Sequence, residues 1–253
     1  MSYTKKNIIQ PSAAMLVIGD EILSGRTQDT NTQFIANKLT LSGINLAEVR
    51  VVCDIKRDII AAVNNLRKKY TYVFTSGGIG PTHDDITADA IANAFKVGIS
   101  IREDARRILS SNYSDGEKSL NEARLRMARI PEGASLINNP ISKAPGFCLG
   151  NVYVMAGVPS IFKVMVDSVI PTLIGGPPLL SLSVKFLKPE SEIAQNLEII
   201  ASNFPESSIG SYPFNLEGVH GTNVVVRHFD KIVLKTIEKN LKALQQSPSC
   251  KIS

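Results

Sequence analysis

The stretch TYVFTSGGIGPTHDD, residues 71–85, decides the fold. Thr71–Thr75 is a short apolar strand, glycines follow at 77, 78 and 80, and a helical pattern through Ile91, Ala94 and Phe95 comes next. A buried strand that passes through a glycine turn into a helix is the working half of a parallel strand–helix–strand unit. In an open sheet of that kind, ligands bind at the carboxyl ends of the strands. Glycines let backbone N–H groups converge without Cβ interference, and a helix N-terminus adds a positive end, so the loop suits phosphate. A tight turn alone needs one glycine or two. Ser76, Gly77, Gly78, Gly80, Thr82 and His83 are therefore candidate ligand contacts, His83 as a donor to a phosphate oxygen.

Outward from this loop the same alternation continues. Ala13–Ile18 reads as a buried strand. Asp29 and Thr30 can cap a helix with Phe34, Ile35, Leu39 and Leu41 on its apolar face and Gly43 at its end. Ile44–Val52 is a second strand, and Ile59, Val63 and Leu66 mark another helix. The order predicts an α/β domain with a mostly parallel sheet covered on both faces. Residues 102–129 read as helical with a break at Ser114-Asp115-Gly116. Gly150-Asn151 turns a hairpin between Phe147–Leu149 and Val152–Met155, and an apolar stripe from Val158 to Leu173 predicts a core-facing helix.

Gly175-Gly176-Pro177-Pro178 punctuates the chain, so domains are expected at 12–175 and 179–246. The second reads as strand Leu180–Leu187, helix Glu190–Ser202, strands Ser208–Pro213 and Thr222–Phe229, and a helix through Ile237, Leu241 and Leu244: a small α+β unit. The first twelve residues read as a frayed tail with no apolar signal region, and 246–253 as disordered.

Acids gather near the expected strand ends. Asp84 and Asp85 follow the glycine loop, Asp20 and Glu21 follow the first strand, and Asp54 follows the second. Two acids beside a phosphate site repel the ligand unless a cation intervenes, and Mg²⁺ is commonly held by one or two carboxylates plus substrate phosphates. Asp84 and Asp85 are thus candidate metal ligands; capping of the next helix is the alternative, and it suits Asp84 better than Asp85. Asp20, Asp54 and Asp85, converging from three loops, are the candidate catalytic acids. Asp29 and Asn31 are further candidate ligand contacts.

Other chemistries are excluded. There is no G-x-S-x-G, Gly78-x-Gly80 lacks the third glycine of a dinucleotide fingerprint, and Gly19–Gly25 is not a P-loop. Cys53, Cys148 and Cys250 form no C-x-x-C pair, which argues against a zinc ribbon and for a reducing, cytoplasmic setting. The longest apolar stretch, Ile161–Ile174, is broken by Lys163 and Asp167 and is too short to span a membrane. With 28 Lys+Arg against 23 Asp+Glu, no tryptophan and 6% aromatic residues, the net +5 favours anionic ligands and argues against nucleic acid. Gly218-Val219-His220-Gly221 matches G-x-x-G, but it falls between two strands and reads as a hairpin loop.

Gly19-Asp20-Glu21-Ile22-Leu23, Asp29-Thr30-Asn31, Thr75–Asp85 and Asn139-Pro140…Ala144-Pro145-Gly146-Phe147 resemble the molybdopterin-binding (MoaB/Mog-like) domain of the competence/damage-inducible CinA family. Residues 180–245 resemble its small KH-like domain, and the first domain of eukaryotic FAD synthases is similar too. The resemblance implies a three-layer α/β sandwich and a homo-oligomer, dimer or trimer. It also implies a phosphate-bearing small-molecule ligand: molybdopterin, or a dinucleotide such as ADP-ribose or FAD, split with Mg²⁺, Mn²⁺ or Co²⁺. It places Asp54 and Asp85 near the phosphate and Ser76, Gly77, Gly78 and Gly80 in the phosphate loop. The amidohydrolase domain of full-length CinA and the adenylyl-transfer domain of FAD synthases have no counterpart here, so neither activity is expected. The family's frequent P-G-V-P-x-E-M reads Ala156-Gly157-Val158-Pro159-Ser160-Ile161-Phe162, which replaces a possible metal ligand with Ile161. Two functions follow: a metal-dependent nucleotide pyrophosphatase, or a non-catalytic molybdopterin or nucleotide-binding module linked to molybdenum cofactor biosynthesis.

Overall fold

Successive residues of a strand face opposite ways, so a strand whose residues are all apolar must be covered twice. β1 (Ser12–Ile18) is such a strand: Ala14, Leu16 and Ile18 enter one apolar cluster and Ala13, Met15 and Val17 another. The structure is a computed structural model that describes residues 10–216 and 218–246. The expected tail at 246–253 falls outside these residues except for Gln246, as does most of the expected frayed start, whose last residue, Ser12, begins β1.

After β1 come a one-turn helix α1 (Asp20–Leu23), α2 (Asn31–Leu41), β2 (Asn45–Val52), α3 (Lys56–Lys69), β3 (Tyr72–Ser76) and α4 (Thr87–Phe95). Then follow β4 (Ile99–Ile101), α5 (Glu103–Ser110), α6 (Glu122–Arg126), β5 (Arg129–Pro131), β6 (Ser135–Ile137), β7 (Gly146–Leu149), β8 (Val152–Met155) and α7 (Pro159–Val169). The main sheet has the order β2-β1-β3-β8-β7-β6, with β2, β1, β3 and β8 parallel and β7 antiparallel to both of its neighbours, β8 and β6. One face is covered by α3, α4 and α5 through Ile59, Val63, Leu66, Ile91 and Leu109. The other is covered by α2 and α7 through Ile35, Leu39, Phe162, Met165 and Val169. This is the MoaB/Mog-like three-layer arrangement expected from the sequence.

Residues 102–129 are helical in pieces, α5, a 3-10 turn at Gly116–Ser119 and α6, with the break after Ser110; the unexpected feature is that β4 and β5, flanking this stretch, pair into an antiparallel ribbon. Three-residue strands are too short to show a period. α7 stops at Val169 and passes into a 3-10 turn, Ile170–Thr172, because Pro171 has no N–H to continue the helix.

The chain divides into two compact units after Gly176. The second contains β9 (Leu180–Phe186), α8 (Glu190–Asn203), β10 (Ser208–Leu216), β11 (Val219–His228) and α9 (Lys231–Gln246). Its antiparallel sheet, in the order β10-β11-β9, buries Val184, Phe186, Val224 and Val226 against Ile193, Leu197, Ile237 and Leu241 of the two helices. The G-x-x-G residues fall in the hairpin: Gly218 takes a positive φ of 84° in the turn and Val219–Gly221 begin β11. Among the described residues, no helix is long and apolar enough to cross a membrane.

Candidate functional site

The chain runs from β1 to β2 on one side and then crosses to β3 on the other, so the sheet's direction of growth reverses between β1 and β3. Loops diverge at such a point and leave a crevice at the carboxyl ends of the strands. Here that crevice is a cleft of about 460 Å³, and it takes Gly19 from the end of β1, Asp54 from the end of β2, Gly77–Pro81 from the end of β3, and Ala156–Val158 from the end of β8.

The glycine loop is fixed at its base and open at its crest. Gly77 N–H donates to Met155 O at 3.1 Å, while Thr87 Oγ1 donates to Gly77 O at 3.0 Å and Thr87 N–H to Gly78 O at 2.9 Å. Gly77 and Gly78 have φ of 107° and 70°; a Cβ on the first would lie 2.1 Å from Ile18 O, and one on the second 2.1 Å from Thr87 Oγ1. By contrast, the N–H groups of Gly78, Ile79 and Gly80 donate to no other described residue. Three successive amides without partners, on half-buried residues that line a cleft, are the feature the fold leaves open.

The acids are arranged around the same cleft. Asp54, Asp84 and Asp85 line it, and so does Glu21, which the sequence reading did not assign a role. Asp20 sits exposed beside Asp54 and not on the cleft wall: Asp54 Oδ2 accepts its N–H at 3.0 Å and Asp20 Oδ1 accepts the Asp54 N–H at 3.4 Å. Burial, with the charges of Asp20, Glu21 and Asp84 adding to it, pushes the Asp54 carboxyl above its ordinary 3.8, against the opposing pull of the Asp20 N–H. Asp84 is held below the ordinary range by the Thr82 hydroxyl, its own N–H, and its neighbours His83 and Arg126. Asp85 Oδ2 accepts from Thr82 N–H at 2.8 Å and Thr82 Oγ1 at 2.5 Å, so Thr82 braces Asp85 at the loop's far end. Thr82 and His83 are exposed. Among the described residues, no group of three or more His, Cys, Asp and Glu stands ready to hold a metal ion.

Five predicted contacts lie apart from the cleft wall: Thr82 and His83, at the exposed end of the loop, and Asp29, Asn31 and Ser76. Asp29 Oδ1 accepts from the N–H groups of Asn31 and Thr32, at 2.9 and 3.1 Å, and Oδ2 from the Thr32 hydroxyl, so its carboxylate holds the start of α2. Asn31 is buried and donates Nδ2 to Ser76 Oγ and Gly157 O, each at 2.8 Å. Asp29, Asn31 and Ser76 line a neighbouring hollow of about 40 Å³, and the Asn31 Oδ1 is buried there with no partner.

Asn139 was missed as a site residue, although Asn-Pro marks its turn in the sequence. It is 2% exposed; Nδ2 donates to Ser142 Oγ and Ala144 O, and Oδ1 accepts from Ile141 and Ser142 N–H. It therefore shapes the loop that forms the far wall of the cleft. Met127, Ala156, Val158 and Ile161 add an apolar side.

Residues 14–175 match the family described as "Probable molybdopterin binding domain", which is more than half of the chain. The chain belongs to the molybdopterin-binding domain family. The chain resembles the crystal structure of CinA from Thermoplasma acidophilum, with a TM-score of 0.60, 33% identity, and 64% of this chain and 98% of that chain covered. A protein of Pyrobaculum calidifontis is 30% identical over 216 residues, 82% of each chain. A CinA-like protein of Desulfosudis oleivorans is 34% identical over 209 residues; the chain spans about half of that protein's length, 51%. The second unit, read from the sequence as KH-like, matches at 178–250 the family of the FAD synthase middle domain.

Proposed function

We propose that the cleft binds a phosphate-bearing small molecule, molybdopterin or a nucleotide. With a divalent cation it would act as a pyrophosphatase on dinucleotides such as ADP-ribose or FAD. The observation that carries the reading is the run of unengaged N–H groups at Gly78, Ile79 and Gly80. Successive free amides in a turn form a concave nest for an anion, and one at a sheet's switch point lies where ligands of this architecture bind. The apolar side, Ile79, Met127, Val158 and Ile161, suits a flat ring system joined to the phosphates.

Glu21, Asp54, Asp84 and Asp85 around the same cleft would repel that anion on their own. A hard dication between carboxylates and phosphates would remove the conflict, with Asp84 and Asp85 as its ligands and Asp54 on the same cleft wall. Once bound, such a cation supplies charge neutralisation and makes bound water more acidic. The chain's own part is to seat the phosphates on the three amides and keep Asp85 in place through Thr82. In the reaction, water adds to one phosphorus and the P–O–P bridge breaks. Two phosphomonoesters result: AMP and ribose 5-phosphate from ADP-ribose, AMP and FMN from FAD. The match of the second unit to the FAD synthase middle domain supports including FAD among the substrates.

A binding module without chemistry is the second reading, and the lack of a three-donor group among the described residues is what favours it. Incubation with ADP-ribose or FAD and Mg²⁺, Mn²⁺ or Co²⁺ separates the two. AMP release that chelator abolishes is the expected result. No AMP with any cation, together with tight binding of AMP, FAD or molybdopterin that is indifferent to chelator, would leave only the module.

A further inference from the structure

Beside the acids of the cleft stands a cation with no assigned task. Arg126 ends α6, half-buried, and its Nε is shut away from water without a hydrogen-bond partner. Its arginine neighbours are engaged. Arg129 grips Asp89 with two nitrogens, each 2.7 Å from a carboxylate oxygen, and Arg124 donates to Ser119 O at 2.5 Å while lying 4.1 Å over the Tyr113 ring. Arg126 makes no hydrogen bond or ion pair with another described residue; its charge helps to hold the Asp84 carboxyl down, and Asp85 and Asp89 line the same hollow. A guanidinium cannot shed its proton to suit a buried place, so unmet donors there are costly unless a ligand meets them. It lines a small hollow that shares Ile79, Gly80, Asp85 and Met127 with the cleft, so it stands at the edge of the open amides.

We propose that Arg126 is the phosphate-binding side chain of this site, placed to take oxygens of a phosphate seated on the amides of Gly78, Ile79 and Gly80. The inference rests on the anion reading of that loop but not on catalysis. The planar fork of arginine meets two oxygens of a phosphate at once, which a lysine cannot do. A ligand without phosphate would leave the guanidinium as it is now, so Arg126 would select phosphorylated ligands over their nucleosides.

Calorimetric titration in chelator with AMP as the probe and adenosine as the phosphate-free control tests this, on wild type, Arg126→Ala and Arg126→Lys. Arg126→Ala is expected to weaken AMP binding about tenfold or more and Arg126→Lys by less, with adenosine unaffected. Melting temperatures should stay within about 2 °C of wild type, since no internal hydrogen bond is lost; should the alanine variant unfold, the lysine variant, which keeps the stem, carries the comparison. Equal AMP affinity in wild type and the folded variants overturns the proposal, and so does a wild-type protein that binds no AMP. A wild type that binds AMP through Arg126 but releases none from ADP-ribose with any cation removes the pyrophosphatase and leaves this inference standing.

Discussion

Gly77→Ala is expected to destabilise the first unit by about 3 kcal/mol or more, the largest stability loss of any substitution at the site. Two costs add. The residue's φ of 107° lies where an L side chain is strained, and its new Cβ would sit 2.1 Å from the Ile18 carbonyl oxygen. That oxygen belongs to the last residue of β1, a strand buried on both faces, and cannot retreat without moving the sheet. Gly78→Ala meets the Thr87 hydroxyl at 2.1 Å instead, and Thr87 is itself fully buried and bonded to Gly77 O. For a domain of this size, about 3 kcal/mol lowers the melting temperature by about 6–12 °C. Calorimetric melting checks it; a Gly77→Ala protein that melts like wild type would mean that the loop is not packed against β1 as described.

Asp85→Asn and Asp54→Asn are each expected to lower turnover of the pyrophosphate substrate by about 100-fold or more, with no loss of stability. Asn at 85 keeps an oxygen for the Thr82 N–H and hydroxyl, so the brace survives while the charge is gone. At 54 the expected sign is opposite to that of most substitutions. A carboxyl pushed above its ordinary 3.8 costs the folded state free energy whenever it is ionised, at pH above the raised value; the cost disappears as pH falls toward 3.8. Asp54→Asn removes it at every pH and keeps an acceptor for the Asp20 N–H, so its melting temperature at neutral pH should equal or exceed wild type. A site that holds like charges together at a cost in stability is the usual mark of function. A clear drop in the melting temperature of either variant would make that acid structural.

The loop at 75–85 was readable because its punctuation is strong: an apolar strand, then glycines at positions the backbone cannot build otherwise. The Gly150-Asn151 hairpin and the α7 stripe were readable for the same reason, local chemistry that agrees with the fold. The ribbon of β4 and β5 was not, because three residues carry no period. Within the site, position along the chain did not say which way a side chain faces. Asp20 and Glu21 are neighbours in a one-turn helix, and only the phase of that turn puts Glu21 on the cleft wall and Asp20 against Asp54. Asp29 has the same sequence signature whether it meets a ligand or caps α2, and its carboxylate lies on the α2 amides. Arg126 could not be told from Arg124 and Arg129 until their partners were known.

The most direct test is to follow the backbone amide resonances of Gly78, Ile79 and Gly80 by NMR while AMP is added in chelator. A hydrogen bond to phosphate should move all three amide protons downfield, in step with binding and with little change at Asp29 and Asn31. Binding of AMP that leaves these three resonances where they were would contradict the account.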